Sequence, residues 1–313
     1  MNLLKRERIT GGILGLLIGD ALGVPYEFHD ANEIPAFDKI EFEPPVGFNR
    51  AHLGVPAGTW SDDGAQALIL LDTLLTCDRL DVKHFADGLV KWYDEGFYAV
   101  DNRVFDVGIQ TGKAIYQLKD GVSALNAGGI DEFSNGNGSL MRVLPLALWH
   151  KGSDVELIAD AELQSIVTHR HLRSQICCAL YCLWARNELN VVENAFDVAV
   201  ETLRDIYASN EAKTVELEAQ IKPDDVHEPR GNGYVVDSLF SARWACGNKD
   251  YESTVKAAIS LGDDTDTTAC IAGGIAGIKF GVNSIPSRWR EGLRGRDVYG
   301  SLLDELLKKL DIT

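Results

Sequence analysis

Two segments, TGGILGLLIGDALG at residues 10–23 and DDGAQALILLDTLLT at residues 62–76, decide the fold class. The first is a glycine-rich apolar run of helical length, and its small residues allow close packing against a neighbour. The second is apolar on nearly every face, which is typical of a helix surrounded by other helices. Both segments therefore predict buried helices near the centre of the molecule.

The helical pattern continues along nearly the whole chain, and no run with strand periodicity exceeds a few residues. Further helices are predicted at residues 82–95, 103–118, 137–150, 154–167, 171–188, 233–246, 251–260, 266–280 and 297–310, with a charged peripheral pair at 192–221. Pro145 is expected either to kink its helix or to mark the first turn. The sequence predicts an all-α protein: one compact domain of ten or more orthogonally packed helices over residues 1–313.

The composition narrows the possible partners. Hydrophobic residues make up 45% of the 313 residues, enough for a large core, and 30 Lys and Arg against 47 Asp and Glu give a formal charge of −17. Nucleic-acid binding requires clustered basic surface, and an anionic membrane repels such a chain, so neither partner is expected. An anionic ligand would need local positive charge, which metal ions can supply.

The cysteines and the N-terminal segment bear on location. Five of the six cysteines lie in apolar helical runs without a paired C-x-x-C framework, which indicates reduced thiols. The apolar run Ile13–Ile18 ends at Asp20 and is too short for a membrane span or a signal peptide. We therefore expect a cytoplasmic protein, and we expect it to be a monomer.

Two acidic clusters precede apolar helices: WSDDG at residues 60–64 and GDDTDTT at residues 262–268. Helix capping explains one oxygen-bearing residue in each cluster, because free N–H groups and the helix dipole favour it. Capping does not explain five acidic residues against two apolar segments, since buried carboxylates lose hydration and repel one another. The second interpretation is a site for Mg²⁺ or Mn²⁺, which prefer oxygen ligands.

Two polar stretches lie at other helix boundaries. SNGNGS at residues 134–139 is either an ordinary Asn-Gly turn or a turn whose N–H groups, with the helix after it, cradle a phosphate. THRH at residues 168–171 lies between two predicted helices, where a pair of histidines is usually a polar surface patch.

Seven motifs, taken in order, resemble the ADP-ribosylglycohydrolase family. They are GDALGVPYE at 19–27, WSDDGAQAL at 60–68, FDVG at 105–108, NGNGSLMRVLPLAL at 135–148, VTHRH at 167–171, GYVVDSLFSARWA at 233–245 and GDDTDTTACIAGGIAG at 262–277. Each motif is weak alone, but seven in the family's order are very specific. The resemblance implies an all-α fold around a binuclear Mg²⁺ or Mn²⁺ site that binds ADP-ribose.

The resemblance also indicates metal ligands. The matching positions are Ser61, Asp62, Asp63, Asp264, Asp266 and Thr267. Asp263 stands where many members have Gly and is treated as a bystander. Gly64 stands where many members have Thr, so one hydroxyl beside the ligands is missing.

Substrate-binding and catalytic residues follow from the same resemblance. Glu27 matches a glutamate on a mobile segment beside the metals, His169 a histidine near the ADP-ribose, and Asp106 falls in a motif that lines the acceptor side. The loop that holds the diphosphate and the proximal ribose corresponds to Asn135, Gly136, Asn137, Gly138, Ser139 and Met141. Glu27 or Asp63 is expected to be the catalytic carboxylate that orients the attacking water or shuttles its proton.

The resemblance predicts a metal-dependent hydrolase that cleaves the glycosidic bond between ADP-ribose and an acceptor. Such hydrolysis passes through an oxocarbenium-like state, and two metals suit it because they hold ribose hydroxyls and activate water. The acceptor belongs to an ADP-ribosylated protein or a small conjugate; protein arginine is favoured, with serine-linked and acylated ADP-ribose as alternatives. The competing functions are a non-catalytic binding member, disfavoured because all six ligand positions are retained, and a phosphohydrolase acting on the diphosphate.

Overall fold

The computed structural model describes residues 4–312, which contain fourteen α-helices and no β-strand. The helices are α1 (Lys5–Gly23), α2 (Asp62–Cys77), α3 (Val82–Glu95), α4 (Ile109–Lys119), α5 (Leu144–Trp149), α6 (Asp154–Ile166), α7 (Leu172–Leu189), α8 (Ala195–Tyr207), α9 (Glu211–Glu216), α10 (Val235–Ala245), α11 (Tyr251–Ile259), α12 (Thr265–Phe280), α13 (Ser287–Gly292) and α14 (Arg296–Lys309). The predicted all-α class is confirmed. The predicted domain bounds include residues 1–3 and 313, which lie outside the described residues.

The centre of the fold is the pair of helices α1 and α12, which run antiparallel in close contact. Glycines on one face of α1 meet small residues of α12, and a Cβ at any of these glycines would overlap backbone atoms of the other helix. The facing pairs are Gly11 with Gly277, Gly15 with Gly273, and Gly19 with Ala269. The glycine-rich sequence is therefore a packing requirement, as the sequence predicted.

The same contact fixes the two ends that carry acidic residues. Gly23 at the end of α1 lies against the backbone of Asp266 in the first turn of α12. The Thr265 hydroxyl donates a hydrogen bond to the Gly23 carbonyl over 2.8 Å. The loop that follows α1 and the acidic start of α12 are thus held together by the packing of two core helices.

One described segment, Lys5–Tyr26, is long and apolar enough to cross a membrane by length and composition alone. However, 89% of its most apolar window is buried inside the fold, where α1 meets α12. The segment therefore serves as a core helix in this structure. All six cysteines are free, and five of them are buried.

The predicted helices and the structure differ at three places. The helix predicted from residue 103 begins at Ile109, because Asp106 has a positive φ of 55° and interrupts it. The segment 137–150 is helical only from Leu144, and Pro145 lies in the first turn of α5. Helix α13 was not predicted, because its six residues carry too few apolar repeats to be recognised.

Candidate active site

The two acidic clusters converge at the N-termini of α2 and α12. Ser61 caps α2 with its side-chain oxygen, which accepts the Asp63 N–H over 3.4 Å. Asp264 precedes α12 but makes no side-chain cap. Helix capping therefore explains one residue of the first cluster and does not account for the carboxylates themselves.

The carboxylates of these clusters are buried without enough hydrogen-bond donors. Asp63 and Asp266 are fully buried, and Asp63 Oδ1 and Asp266 Oδ2 have no hydrogen-bond partner. The other oxygen of Asp63 accepts hydrogen bonds from the hydroxyls of Ser61 (3.2 Å) and Thr267 (3.3 Å). Burying carboxylate oxygens without hydrogen-bond partners costs free energy, and a bound cation would offset that cost. The arrangement therefore fits a cation site better than a purely structural cluster.

The raised pKa values of the buried carboxylates also favour a bound cation. Burial raises the pKa of Asp62, Asp63 and Asp266 well above the ordinary carboxyl value, and neighbouring carboxylates raise it further. Carboxylate oxygens of Glu27, Asp264 and Asp266 lie within 4.8 Å of one another. The ligand atoms of this group are all oxygens, so the group suits a hard divalent cation.

A cavity of 580 Å³ opens beside these carboxylates. Its walls include many of the predicted site residues: Glu27, Asp62, Asp106, Gly136, Asn137, Gly138, Met141, His169, Asp264 and Thr267. Asn135 and Ser139 do not line it, because their side chains are turned into the protein. The side-chain oxygen of Asn135 accepts a hydrogen bond from Ser174, and that of Ser139 accepts one from Ser165.

The glycine-rich turn forms one wall of the cavity. Residues Asn137–Ser139 form a single 3₁₀ turn, and α5 begins only at Leu144. The expectation that a helix follows the turn directly and adds its dipole is therefore wrong. The N–H groups of Gly136 and Asn137 are already bonded, to Gln110 Oε1 and the Gly233 carbonyl, so the later part of the turn is the part left to meet a ligand.

His169 lies against this turn and also lines the cavity. It is 2% exposed, and a Cβ on Gly138 would lie 2.8 Å from its Cε1 and 3.3 Å from its Nε2. Burial, with a smaller contribution from nearby Arg142, lowers the pKa of His169 to about 3. The histidine is therefore neutral at physiological pH and belongs to the cavity wall, which corrects the expectation of a polar surface patch.

Glu27 also lines the cavity, and it pairs with a residue that sequence reasoning missed. Its Oε2 pairs with Nε2 of His52, and Asp106 completes a cluster of three. Burial, then the nearby Asp106, raises the pKa of Glu27 to about 11. His52 lies in the irregular segment between α1 and α2, where no periodicity or motif distinguishes it.

Asp20 is a second missed residue. It is fully buried in α1, and its two carboxylate oxygens accept the backbone N–H groups of Ser61 and Gly64, each over 2.8 Å. Asp20 thereby holds the start of α2 in place. A signal was present in the sequence, since Asp20 is the single charged residue within the apolar segment 10–23.

Packing explains the glycine at position 64. A Cβ there would lie 2.7 Å from Trp60 Cγ and 2.8 Å from Leu17 Cδ2. A threonine in this chain would therefore clash with its surroundings before its hydroxyl could reach the ligands. Asp263, expected to be a bystander, is exposed on the rim of the cavity, where its backbone bonds Phe28 and His29.

Comparison with known proteins identifies the family. The sequence model of the ADP-ribosylglycohydrolase family matches residues 1–312. The chain belongs to the ADP-ribosylglycohydrolase family. It is therefore an enzyme that hydrolyses the glycosidic bond of ADP-ribose conjugates, as the seven motifs indicated, and its family uses divalent metal ions.

Individual ADP-ribosylglycohydrolases agree with this assignment. ADP-ribosylarginine hydrolase Tri1 of Pseudomonas putida is 32% identical over 306 residues, covering 97% of this chain and 78% of the relative. The ADP-ribosyl-[dinitrogen reductase] glycohydrolase of Rhodospirillum rubrum is 26% identical over 90% of this chain and 89% of the relative. A solved ADP-ribosylglycohydrolase-related protein complex superposes with a TM-score of 0.78 at 27% identity, covering 97% of this chain and 98% of that one.

Proposed function

We propose that this enzyme releases ADP-ribose from modified arginine side chains of proteins, using two bound divalent cations, Mg²⁺ or Mn²⁺. The observation that carries the proposal is the set of buried, under-bonded carboxylates beside the cavity. The relative in Pseudomonas putida, named an ADP-ribosylarginine hydrolase, supports arginine as the acceptor. The free, mostly buried cysteines support a cytoplasmic setting, and we propose that the enzyme acts there as a monomer.

The proposed cation ligands come from both acidic clusters. Oxygens of Ser61, Asp62, Asp63, Asp264, Asp266 and Thr267 would hold the cations. When bound, the cations would supply positive charge for the ribose hydroxyls and the diphosphate, and would lower the pKa of water. The carboxylate oxygens that lack partners in Asp63 and Asp266 are the strongest support for this ligand set.

Glu27 is the better candidate for handling the proton of the attacking water. Its carboxylate lines the cavity, whereas Asp63 is fully buried behind the wall and already accepts two hydroxyls. In the reaction the water oxygen bonds to the anomeric carbon, the carbon–nitrogen bond breaks, and the proton taken by Glu27 returns to the leaving guanidine. Bound cations would lower the raised pKa of Glu27 and keep its carboxylate ionised, so the geometry favours Glu27 as the general base and leaves Asp63 as a ligand.

The charge of the cavity favours a cationic acceptor. Its lining includes Asp106, Asp131 and Asp263, and among its described wall residues Lys113 is the single lysine or arginine. An acidic lining attracts a guanidinium group, and it gives no electrostatic advantage to a neutral serine or acyl acceptor. Asp106 faces both Glu27 and His52, which suits a role on the acceptor side.

The experiment is a product analysis on matched substrates. The enzyme is incubated with Mg²⁺ or Mn²⁺ and, in separate reactions, with an arginine-linked ADP-ribosyl peptide, a serine-linked ADP-ribosyl peptide or acylated ADP-ribose. The products are identified by mass spectrometry. Free ADP-ribose from the arginine peptide alone is expected, and a chelator should abolish it. AMP would indicate diphosphate cleavage, and binding without any product would indicate a non-catalytic member; either result would overturn the proposal.

A further inference from the structure

Arg142 is a buried cation that touches no carboxylate among residues 4–312. Its guanidinium donates hydrogen bonds to the side-chain oxygens of Gln164 (3.0 Å), Gln66 (2.8 Å) and Thr168 (2.8 Å). Burial lowers its pKa only to about 10, so it stays charged at physiological pH. Burying a charge against neutral partners costs free energy, so stability alone does not explain an arginine at this position.

The chemistry of the guanidinium fixes the orientation of Gln66. A guanidinium has only donors, so the atom of Gln66 that faces Arg142 must be the amide oxygen. The amide nitrogen then points the other way and donates to Asp62 Oδ2 over 2.9 Å. Asp62 thereby has one oxygen bonded by Gln66, and it is also one of the residues that line the cavity.

The same logic sets the tautomer of His169. Thr168 Oγ1 accepts a hydrogen bond from Arg142, so its own proton needs another acceptor. The one hydrogen-bonding partner left to it among the described contacts is Nδ1 of His169, 2.7 Å away. In the arrangement that gives the Thr168 proton an acceptor, Nδ1 is unprotonated and the neutral ring carries its proton on Nε2, which faces Gly136 and Gly138 of the turn.

A third connection reaches the turn itself. Arg142 Nε donates to the side-chain oxygen of Gln164, which orients that amide as it orients Gln66. The amide nitrogen of Gln164 then donates to the Ser139 carbonyl over 3.1 Å. One guanidinium thus reaches a metal-ligand candidate, a cavity histidine and the glycine-rich turn, each through one neutral side chain.

We propose that Arg142 is the positioning residue of this site. It sets the hydrogen-bonding direction of Gln66, Thr168 and Gln164, and through them it holds Asp62 for the cation and presents Nε2–H of His169 to the ADP-ribose. This inference rests on the proposed function for the identity of the two ligands. Its geometry stands on the hydrogen bonds of Arg142 and of the three side chains that it contacts.

The test separates the two main connections with single substitutions. Thr168→Val removes the hydroxyl at constant shape, and Gln66→Met removes the amide. In titration calorimetry, Thr168→Val should weaken free ADP-ribose about tenfold and leave Mn²⁺ unchanged. Gln66→Met should weaken Mn²⁺ by about 10-fold to 100-fold and change ADP-ribose binding less. Arg142→Lys, which keeps the charge but loses the planar fork, should weaken both.

Arg186→Lys is the matched control. Arg186 is a partly buried arginine that does not line the cavity and is bonded to Asp154 and His150, so both affinities should stay as in the wild type. Nitrogen-15 NMR of the wild type, with the His169 signal assigned from His169→Asn, should show Nε2–H and unprotonated Nδ1. Thermal unfolding establishes whether each variant is folded. If Arg142→Lys does not fold, the affinities of Thr168→Val and Gln66→Met decide whether the proposal holds.

Several results would overturn the positioning role. They are an Nδ1–H or doubly protonated His169 in the wild type, unchanged affinities in Thr168→Val and Gln66→Met, or parallel losses of both ligands in every variant, which would indicate general damage. None of these measurements uses turnover. The enzyme could release no ADP-ribose from arginine while Thr168→Val still weakened ADP-ribose binding and Gln66→Met still weakened Mn²⁺ binding. That result would contradict the proposed function but support the role of Arg142.

Discussion

Asn137 Nδ2 donates a hydrogen bond to Asp264 Oδ2 over 2.7 Å, and so ties the glycine-rich turn to the second acidic cluster. The same amide nitrogen also donates to the Ser238 hydroxyl over 2.9 Å. These two regions are 127 residues apart in sequence, and nothing in the sequence links them. In the folded protein this hydrogen bond couples the proposed phosphate turn to the proposed metal cluster. A substitution that displaces one of them should therefore also displace the other.

Asp266→Ala should abolish turnover while the protein stays folded. The carboxylate is fully buried with one unpartnered oxygen, so removing it relieves repulsion in the metal-free protein. The melting temperature in a chelator should hold or rise, and the increase that Mn²⁺ gives to the wild type should be largely lost. Calorimetric melting with and without Mn²⁺ checks this, and full activity of the variant would remove the assignment of Asp266 as a ligand.

Metal-free stability should fall as the pH rises. Burial raises the pKa of Asp20 from 3.8 to about 7, so the folded state binds the proton more tightly than the unfolded state does. Its contribution is complete below the ordinary pKa and is lost as the pH rises toward 7, at up to about 1.4 kcal/mol per pH unit. Urea unfolding of the wild type and Asp20→Asn in a chelator should differ progressively over this range, and a pH-independent difference would contradict it.

Gly64→Ala should destabilise the protein, although alanine is the better helix former. The added Cβ would meet Trp60 and Leu17 at 2.7–2.8 Å, at a cost of about 1–3 kcal/mol. Gly112→Ala in α4 is the matched control, because its nearest side-chain atom would be 3.7 Å away, and it should be neutral or stabilising. Chemical denaturation measures both, and equal effects would contradict the packing explanation.

Glu27→Gln should lower kcat far more than it weakens ADP-ribose binding. The amide keeps the shape of the side chain but cannot take a proton, so the loss falls on the chemical step. Steady-state kinetics on an ADP-ribosylarginine peptide and calorimetry with ADP-ribose separate the two, and Glu33→Gln, an exposed glutamate, is the control. A collapse of affinity with an unchanged rate at saturating substrate would make Glu27 a binding residue.

The sequence was sufficient for the parts of the fold that depend on local pattern. Apolar runs such as residues 62–76 predicted buried helices, and the acidic clusters were recognised because helix capping accounts for only one residue in each. His52 could not be found, since a lone histidine in an irregular segment becomes part of a site only through tertiary contact with Glu27. Arg142 lies within the motif NGNGSLMRVLPLAL, but its hydrogen bonds to Gln66 and Thr168 join residues that are 76 and 26 positions apart in the sequence.

Gly138→Val should weaken both free ADP-ribose and Mn²⁺, with the larger loss on ADP-ribose. The new side chain would meet His169 Cε1 at 2.8 Å and the Thr111 hydroxyl at 3.2 Å, so the turn must move out of its position against the cavity. Because Asn137 in the same turn holds Asp264, the displacement should reach the acidic cluster, and metal binding should not stay intact. A turn that were independent of the cluster would instead leave Mn²⁺ affinity at the wild-type value.

A ribose analogue without the diphosphate separates contact from general damage in this variant. If the turn contacts the diphosphate, the loss for ADP-ribose should exceed the loss for the analogue, and the double difference isolates that contact. Asn137→Ala provides the complementary case, since it removes the bond to Asp264 without adding a clash and should weaken Mn²⁺ more than the analogue. Equal losses of the two ribose ligands in Gly138→Val would mean that the substitution only disturbs the cavity, and the phosphate role of the turn would have to be abandoned.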